Sequence, residues 1–256
     1  MTSRPLVTML RLPPGLLPRE TIREFLRIVF EEFRWFAPIR YGDLENVVLP
    51  GRAGVDAMLG YYEQWSHLMV GALTDRDFIF IGPSKVDAQY PYTGSISWNT
   101  REKSASKPAW RSAHEDQVQQ LMKMLGSPYA YVALDEDIHG KTRRLVPSKI
   151  GSSQVLTVRD YSEGLAGLYW RNFFGPPFVR MFGERLQALP PEHRRDLGDG
   201  IVLVEPYPLP GDAETEAGKA RERALIEQLG PECFYDHERH VLPTRRPELP
   251  APSAWK

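Results

Sequence analysis

The chain has 256 residues, with 32 Lys plus Arg against 33 Asp plus Glu and a formal net charge of -1. That balance builds in no long-range attraction to nucleic acid or anionic lipid. An apolar share of 42% beside 25% charged residues is ordinary for a globular chain long enough to bury a real core. The single cysteine, Cys233, excludes an intrachain disulfide framework and any zinc site built on several thiolates, and it fits a reducing compartment.

In the opening MTSRPLVTMLRLPPGLLPRE, Arg11 and the Pro13-Pro14-Gly15 break leave no apolar run of signal-peptide length, and no later stretch reaches membrane-spanning length. A cytoplasmic protein without a membrane partner is the expectation. Ile22, Phe25, Leu26, Val29, Phe30 and Phe33 recur at helical spacing after Pro18, which suits a first helical turn. Met58, Tyr62, Trp65, Met69 and Ala72 step by four and three and predict a second amphipathic helix. Phe78–Ile81, closed by Gly82-Pro83, predicts a buried strand, and Ser95–Trp98 alternates like another.

Ser112-Ala113-His114-Glu115 matches a capping box ahead of the apolar face Val118, Leu121, Met122 and Leu125, with Gly126 and Pro128 as the stop. Tyr129–Leu134, Val155–Val158 and Ile201–Val204 are strand candidates. A last helix is predicted from about Ala213 to Leu229, ended by Gly230-Pro231. Residues 243–256, with four prolines and little to bury, read as an extended tail. Helices and strands mix without regular alternation, so the expected class is α+β, mostly antiparallel sheets flanked by helices. KIGSS at 149–153 suggests a division into halves 1–150 and 151–242.

Motifs for chemistry fail on inspection. Asp135-Glu136-Asp137-Ile138-His139-Gly140 begins like a calcium loop, but His139 stands at position five and Val146 where a bidentate Glu is required. Gly140-Lys141-Thr142 lacks the upstream glycine of a phosphate loop, that place being Asp135. His237 and His240 lie three apart, not the four of a helical zinc-protease motif, and Cys233 follows Pro231-Glu232 without an electropositive setting. No Gly-x-Ser-x-Gly elbow and no restriction-type nuclease triplet occurs. The expectation is a protein with no catalytic residue, no metal and no cofactor.

YWRNFFGPPF, Tyr169–Phe178, concentrates aromatic side chains around a rigid turn. Gly175 permits the bend, Pro176-Pro177 opens a short helix, and Phe178, Met181 and Phe182 share one face. Trp170, Phe174, Phe178 and Phe182 are expected in the core. Tyr169 and Arg171, residue types enriched at interface centres, are the members expected to be exposed for a partner.

The order VLTVRDY, LAGLYWRNFFGPPFVRMFGERLQALP, GIVLVEPYP and a helix ending LGPECFYD resembles bacterial immunity proteins of polymorphic and type VI secretion toxin systems. It is most similar to the immunity protein 52 family, associated with restriction-endonuclease-fold DNase toxins, and broadly similar to a second type VI group linked to another nuclease class. The resemblance runs over residues 155–235 and transfers no functional residue. It implies an antitoxin that binds a cognate nuclease and itself binds no nucleic acid. Asp135, Glu136 and Asp137, read as a solvated turn after a strand, are the acids that would meet the basic DNA groove of such a toxin. An enzyme of unknown substrate and a secretion-cluster adaptor are the competing readings.

Overall fold

The computed structural model describes residues 4–43, 54–74, 76–148 and 151–252. Its strands are β1 (Pro5–Arg11), β2 (Arg40–Gly42), β3 (Leu68–Gly71), β4 (Phe78–Gly82), β5 (Ser95–Arg101), β6 (Tyr129–Leu134), β7 (Arg143–Ser148), β8 (Gly151–Leu156), β9 (Arg171–Phe174), β10 (Arg194–Gly198) and β11 (Ile201–Val204). The α-helices are α1 (Arg19–Arg27), α2 (Val55–Trp65), α3 (Pro108–Leu125), α4 (Asp135–Thr142), α5 (Pro176–Phe182), α6 (Glu184–Gln187) and α7 (Glu216–Leu229).

Nine strands form one sheet in the order β10-β11-β9-β6-β1-β5-β4-β3-β2, and β7 with β8 makes a separate ribbon. Every neighbouring pair is antiparallel. β1 is central because PLVTMLR alternates: Leu6, Thr8 and Leu10 are fully buried toward one face, with Val7 and Met9 on the other. β6, YAYVAL, is buried throughout. Its Ala130, Val132 and Leu134 enter the core under α1, α2 and α3, while Tyr129, Tyr131 and Ala133 enter a second core under α4, α5 and α7. The molecule is therefore α+β with helical layers on both faces of one antiparallel sheet.

The aromatic stretch is the corner where the second core is tied to the sheet. Phe173 points into the first core and Phe174 into the second, as strand alternation requires. Gly175 then donates its N–H to the Pro128 carbonyl at 2.9 Å, so close that a Cβ on Gly175 would stand 2.9 Å from that oxygen. Pro176 starts α5, which stacks Phe178 on Phe174 and sets Phe182 edge-on to it, with ring centroids 6.0 and 5.0 Å away. Trp170, Phe174, Phe178 and Phe182 are all buried, as expected.

Several sequence expectations need correction. The second helix stops at Ser66, in left-handed backbone with φ 61°, and Met69 lies in β3, where apolar LMVG gains pairing from β2 and β4 on both sides. α3 begins at Pro108, and Ser112 sits inside it with no capping role, because proline with Lys107 ahead of it already supplies a start. Asp135–Asp137 form the first turn of α4 rather than a solvated turn, carboxylates being favourable at a helix N-terminus.

The strand expected at Val155–Val158 ends at Leu156 as part of the β7–β8 ribbon. Strands from before and after residue 150 share one sheet, β6 pairing with β9. Of the expected division, Lys149 and Ile150 lie outside the described residues, and Gly151–Ser153 open β8. The last described residues are extended but docked: Thr244 and Arg245 donate backbone N–H groups to the Glu232 carbonyl, and Tyr92 donates its hydroxyl to the Pro250 carbonyl at 2.7 Å.

Candidate functional site

The acidic segment DEDIHGKT places its charges in two registers of α4. Asp135 pairs with His139 at 3.3 Å and remains about half exposed, and Glu136 is exposed. Asp137, one position further round, turns inward: its side chain is 10% exposed and pairs with Lys141 Nζ at 2.8 Å. Acid ahead of base at i,i+4 is the favourable helical order.

Lys141 Nζ also donates to Glu222 Oε2 of α7 at 2.8 Å and to the Leu168 carbonyl, while Glu222 Oε1 accepts the Leu168 N–H at 3.1 Å. Gly167 makes this approach possible, since a Cβ there would meet Lys141 Cδ at 3.0 Å and Glu222 Oε1 at 3.2 Å. Two carboxylates thus share one ammonium. Burial raises the pKa of both Asp137 and Glu222, and the Lys141 charge opposes that rise.

Tyr169 belongs to the same cluster and is not exposed. Its ring stacks on Tyr131 at 4.3 Å, with Lys141 Nζ 5.1 Å from its centroid, and the residue is 2% exposed. Arg171 is likewise 2% exposed, in a separate cluster. Its Nε donates to Glu205 Oε1 at 2.8 Å, its Nη1 donates to the Arg111 carbonyl at 2.9 Å, and its guanidinium lies over the Trp170 ring at 4.8 Å. Arg195 ties the cluster together by donating to both Glu115 and Glu205.

The expected exposure of Tyr169 and Arg171 is therefore corrected. β9 lies inside the sheet between β6 and β11, and Arg171 finds its carboxylates on elements far along the chain. The cluster lies at a charged cleft of about 650 Å³ between α3 and the β10–β11 end of the sheet.

Beside the Lys141 cluster, α4, α7 and residues 231–238 enclose a groove of about 670 Å³. Ile226, Phe234 and Tyr235 supply apolar surface, and the lining includes the exposed Glu227, Glu238 and Arg223. The Tyr235 hydroxyl is buried without a hydrogen-bond partner among the described residues, and it lies on a residue that lines this groove. His237 Nε2 is 2.7 Å from the Ala166 carbonyl. Asp236 Oδ1 accepts the backbone N–H groups of Glu238 and Arg239, which hold its carboxyl below the usual range. Cys233 is buried, and burial pushes its thiol up to about 11. Among the described residues no three metal-ligating side chains gather, and no helix is long and apolar enough to cross a membrane.

An apolar floor with a charged rim is the anatomy of a protein-binding groove. Its deepest ionic groups, Lys141 and Glu222, are engaged with one another. Sequence reasoning weighed Lys141 only as the lysine of a failed phosphate loop and did not single out Glu222. The i,i+4 spacing of Asp137 and Lys141 was a readable signal for the first, whereas Glu222 lies 81 positions away from Lys141.

The fold class is thus a nine-stranded antiparallel sheet carrying helices on both faces. No family model matches the chain, and no curated protein matches it. Among solved structures it is similar to a Pseudomonas aeruginosa T6SS protein, PA0821, with a TM-score of 0.53 and 14% sequence identity over 98% of this chain and 81% of that one. That likeness is one of fold.

Proposed function

We propose that this protein is a type VI secretion immunity protein, which binds a cognate effector in the cytoplasm and blocks it without chemistry of its own. The observation that carries the proposal is the fold shared along 98% of the chain with a protein named for the type VI system. The YWRN and FGPPF residues that resemble immunity proteins support it from the sequence side, and here they build the core corner of that fold. The effector is a nuclease. Its surface must be basic to hold phosphate, which suits contact with Asp135 and Glu136, the two acids that α4 leaves exposed.

The α4–α7 groove is the docking surface in this proposal, because it joins apolar side chains to a charged rim and is lined by the C-terminal end of α4, the helix whose first turn carries those acids. The test is co-expression with the C-terminal toxin domain encoded by the adjacent gene. Growth should be rescued by this protein and lost again when Ile226 is replaced by Arg. Failure of the unaltered protein to restore growth contradicts the function. Full rescue by Ile226→Arg contradicts the groove alone.

A further inference from the structure

The helical layer on the opposite face of the sheet from α4 and α7 contains a third cavity. α1 runs on into a π-helical turn, Ile28–Glu32, a rare geometry that recurs at functional sites. Arg34 follows with φ 54°, left-handed backbone that a non-glycine residue adopts at a cost. These two irregularities turn the chain back. Trp35 donates its backbone N–H to the Val29 carbonyl at 3.1 Å and its indole N–H to Gln117 Oε1 of α3 at 3.0 Å.

The result is an arc of rings. Trp35 stacks on Trp98 of β5 with centroids 4.4 Å apart, and Trp110 stacks on His114, both of α3, at 4.6 Å. With Phe33 and Phe36 they line a cavity of about 390 Å³. The cavity opens to solvent past Arg34 and Arg101, and its volume falls in the range of small-molecule sites, roughly 300 to 1,000 Å³.

Polar side chains share the lining with the rings: Gln117 accepts the Trp35 indole N–H, Thr100 donates its hydroxyl to the Leu6 carbonyl, and His114 lies at the wall. His114 is 2% exposed; Nε2 lies 2.9 Å from Thr8 Oγ1, while Nδ1 has no hydrogen-bond partner among the described residues. Burial, with the nearby Arg171 charge, lowers its pKa to about 3, so the ring is neutral. A buried nitrogen left unsatisfied is costly and calls for a partner. Arg34 and Arg101 line the cavity and are exposed, with no carboxylate partner among the described residues, and Asp77 is the acid in the lining.

We propose that this cavity binds a planar aromatic molecule bearing an anionic group. Its ring inserts along the walls formed by Trp35 and Trp110, where offset stacking is favourable. The anion meets Arg34 and Arg101. This site is separate from the α4–α7 groove and does not depend on the effector reading.

The experiment follows the indole N–H resonances of the ¹⁵N-labelled full chain, each assigned by its Trp→Phe variant. The chain is titrated separately with indole-3-acetate, tryptamine and cyclohexaneacetate. Indole-3-acetate should shift the Trp35 and Trp110 resonances saturably, with an affinity about tenfold or more above that of the other two, as one charge-assisted contact is worth. Arg34→Gln combined with Arg101→Gln should erase its advantage over tryptamine while the melting temperature is unchanged, both side chains being exposed. The proposal is overturned by the absence of saturable shifts up to about 10 mM, a weak millimolar limit, by equal binding of tryptamine, or by saturable shifts confined to other tryptophans.

Discussion

Replacing Lys141 with Met removes the one ammonium that Asp137 and Glu222 share, leaving two carboxylates in a site where their side chains are 10% and 11% exposed. Breaking a buried ion pair by deleting one partner costs about 3 to 5 kcal/mol, because the remaining charge is desolvated without compensation. For a chain of this size each kcal/mol moves the melting temperature by roughly 2 to 4 °C, so a fall of about 6 to 20 °C is expected. The pH dependence gives a second readout.

Both carboxyls already titrate above their unfolded values because they are buried, so the native state holds more protons than the unfolded chain between those two limits. Their contribution to stability is present at low pH and is lost as pH rises through the folded-state pKa. Without Lys141 these values rise further, and the deficit of the variant should be larger near pH 7 than near pH 5. Chemical denaturation at both pH values measures this. A deficit below about 1 kcal/mol at neutral pH, the size of an exposed surface pair, or one that grows on acidification, would refute the reasoning.

Phe178→Ala should destabilise the protein by about 3 to 5 kcal/mol through loss of a fully buried ring, read as early melting. Gly175→Ala should cost about 1 to 3 kcal/mol, because the new methyl meets the Pro128 carbonyl; a neutral result in the same melt would show that the corner relaxes freely. Asp135→Lys with Glu136→Lys should slow effector association at low salt and flatten its salt dependence while leaving the fold intact. Stopped-flow association at two ionic strengths decides it.

Local patterns carried most of the fold. The stops at Gly126 and Gly230, the strands Tyr129–Leu134 and Ile201–Val204, and the Pro176 start of α5 all follow from backbone chemistry that acts over a few residues. Failures occurred where distant pairing decided. The spacing of Met58 to Ala72 fits one helix face, yet LMVG became β3 because β2 and β4 were there to pair with it. Arg194–Gly198 gave no apolar alternation and pairs as an edge strand only because β11 presents its hydrogen bonds.

The site was less legible still. Tyr169 and Arg171 look like interface residues by type, and only the fold supplies Lys141, Glu205 and Glu115 as partners that bury them. Asp135 and Glu136 differ from Asp137 by helical phase alone, which a turn reading cannot distinguish.

The central claim is that this chain neutralises an effector by binding it. The most direct measurement is calorimetric titration of the purified protein into an inactivated toxin domain from the adjacent gene, paired with a nuclease assay of the active domain. The account predicts a one-to-one complex of about nanomolar dissociation constant, as tight inhibitory interfaces of standard size reach, and nuclease activity that falls to zero at equivalence. Absence of heat and full nuclease activity at excess protein would contradict it.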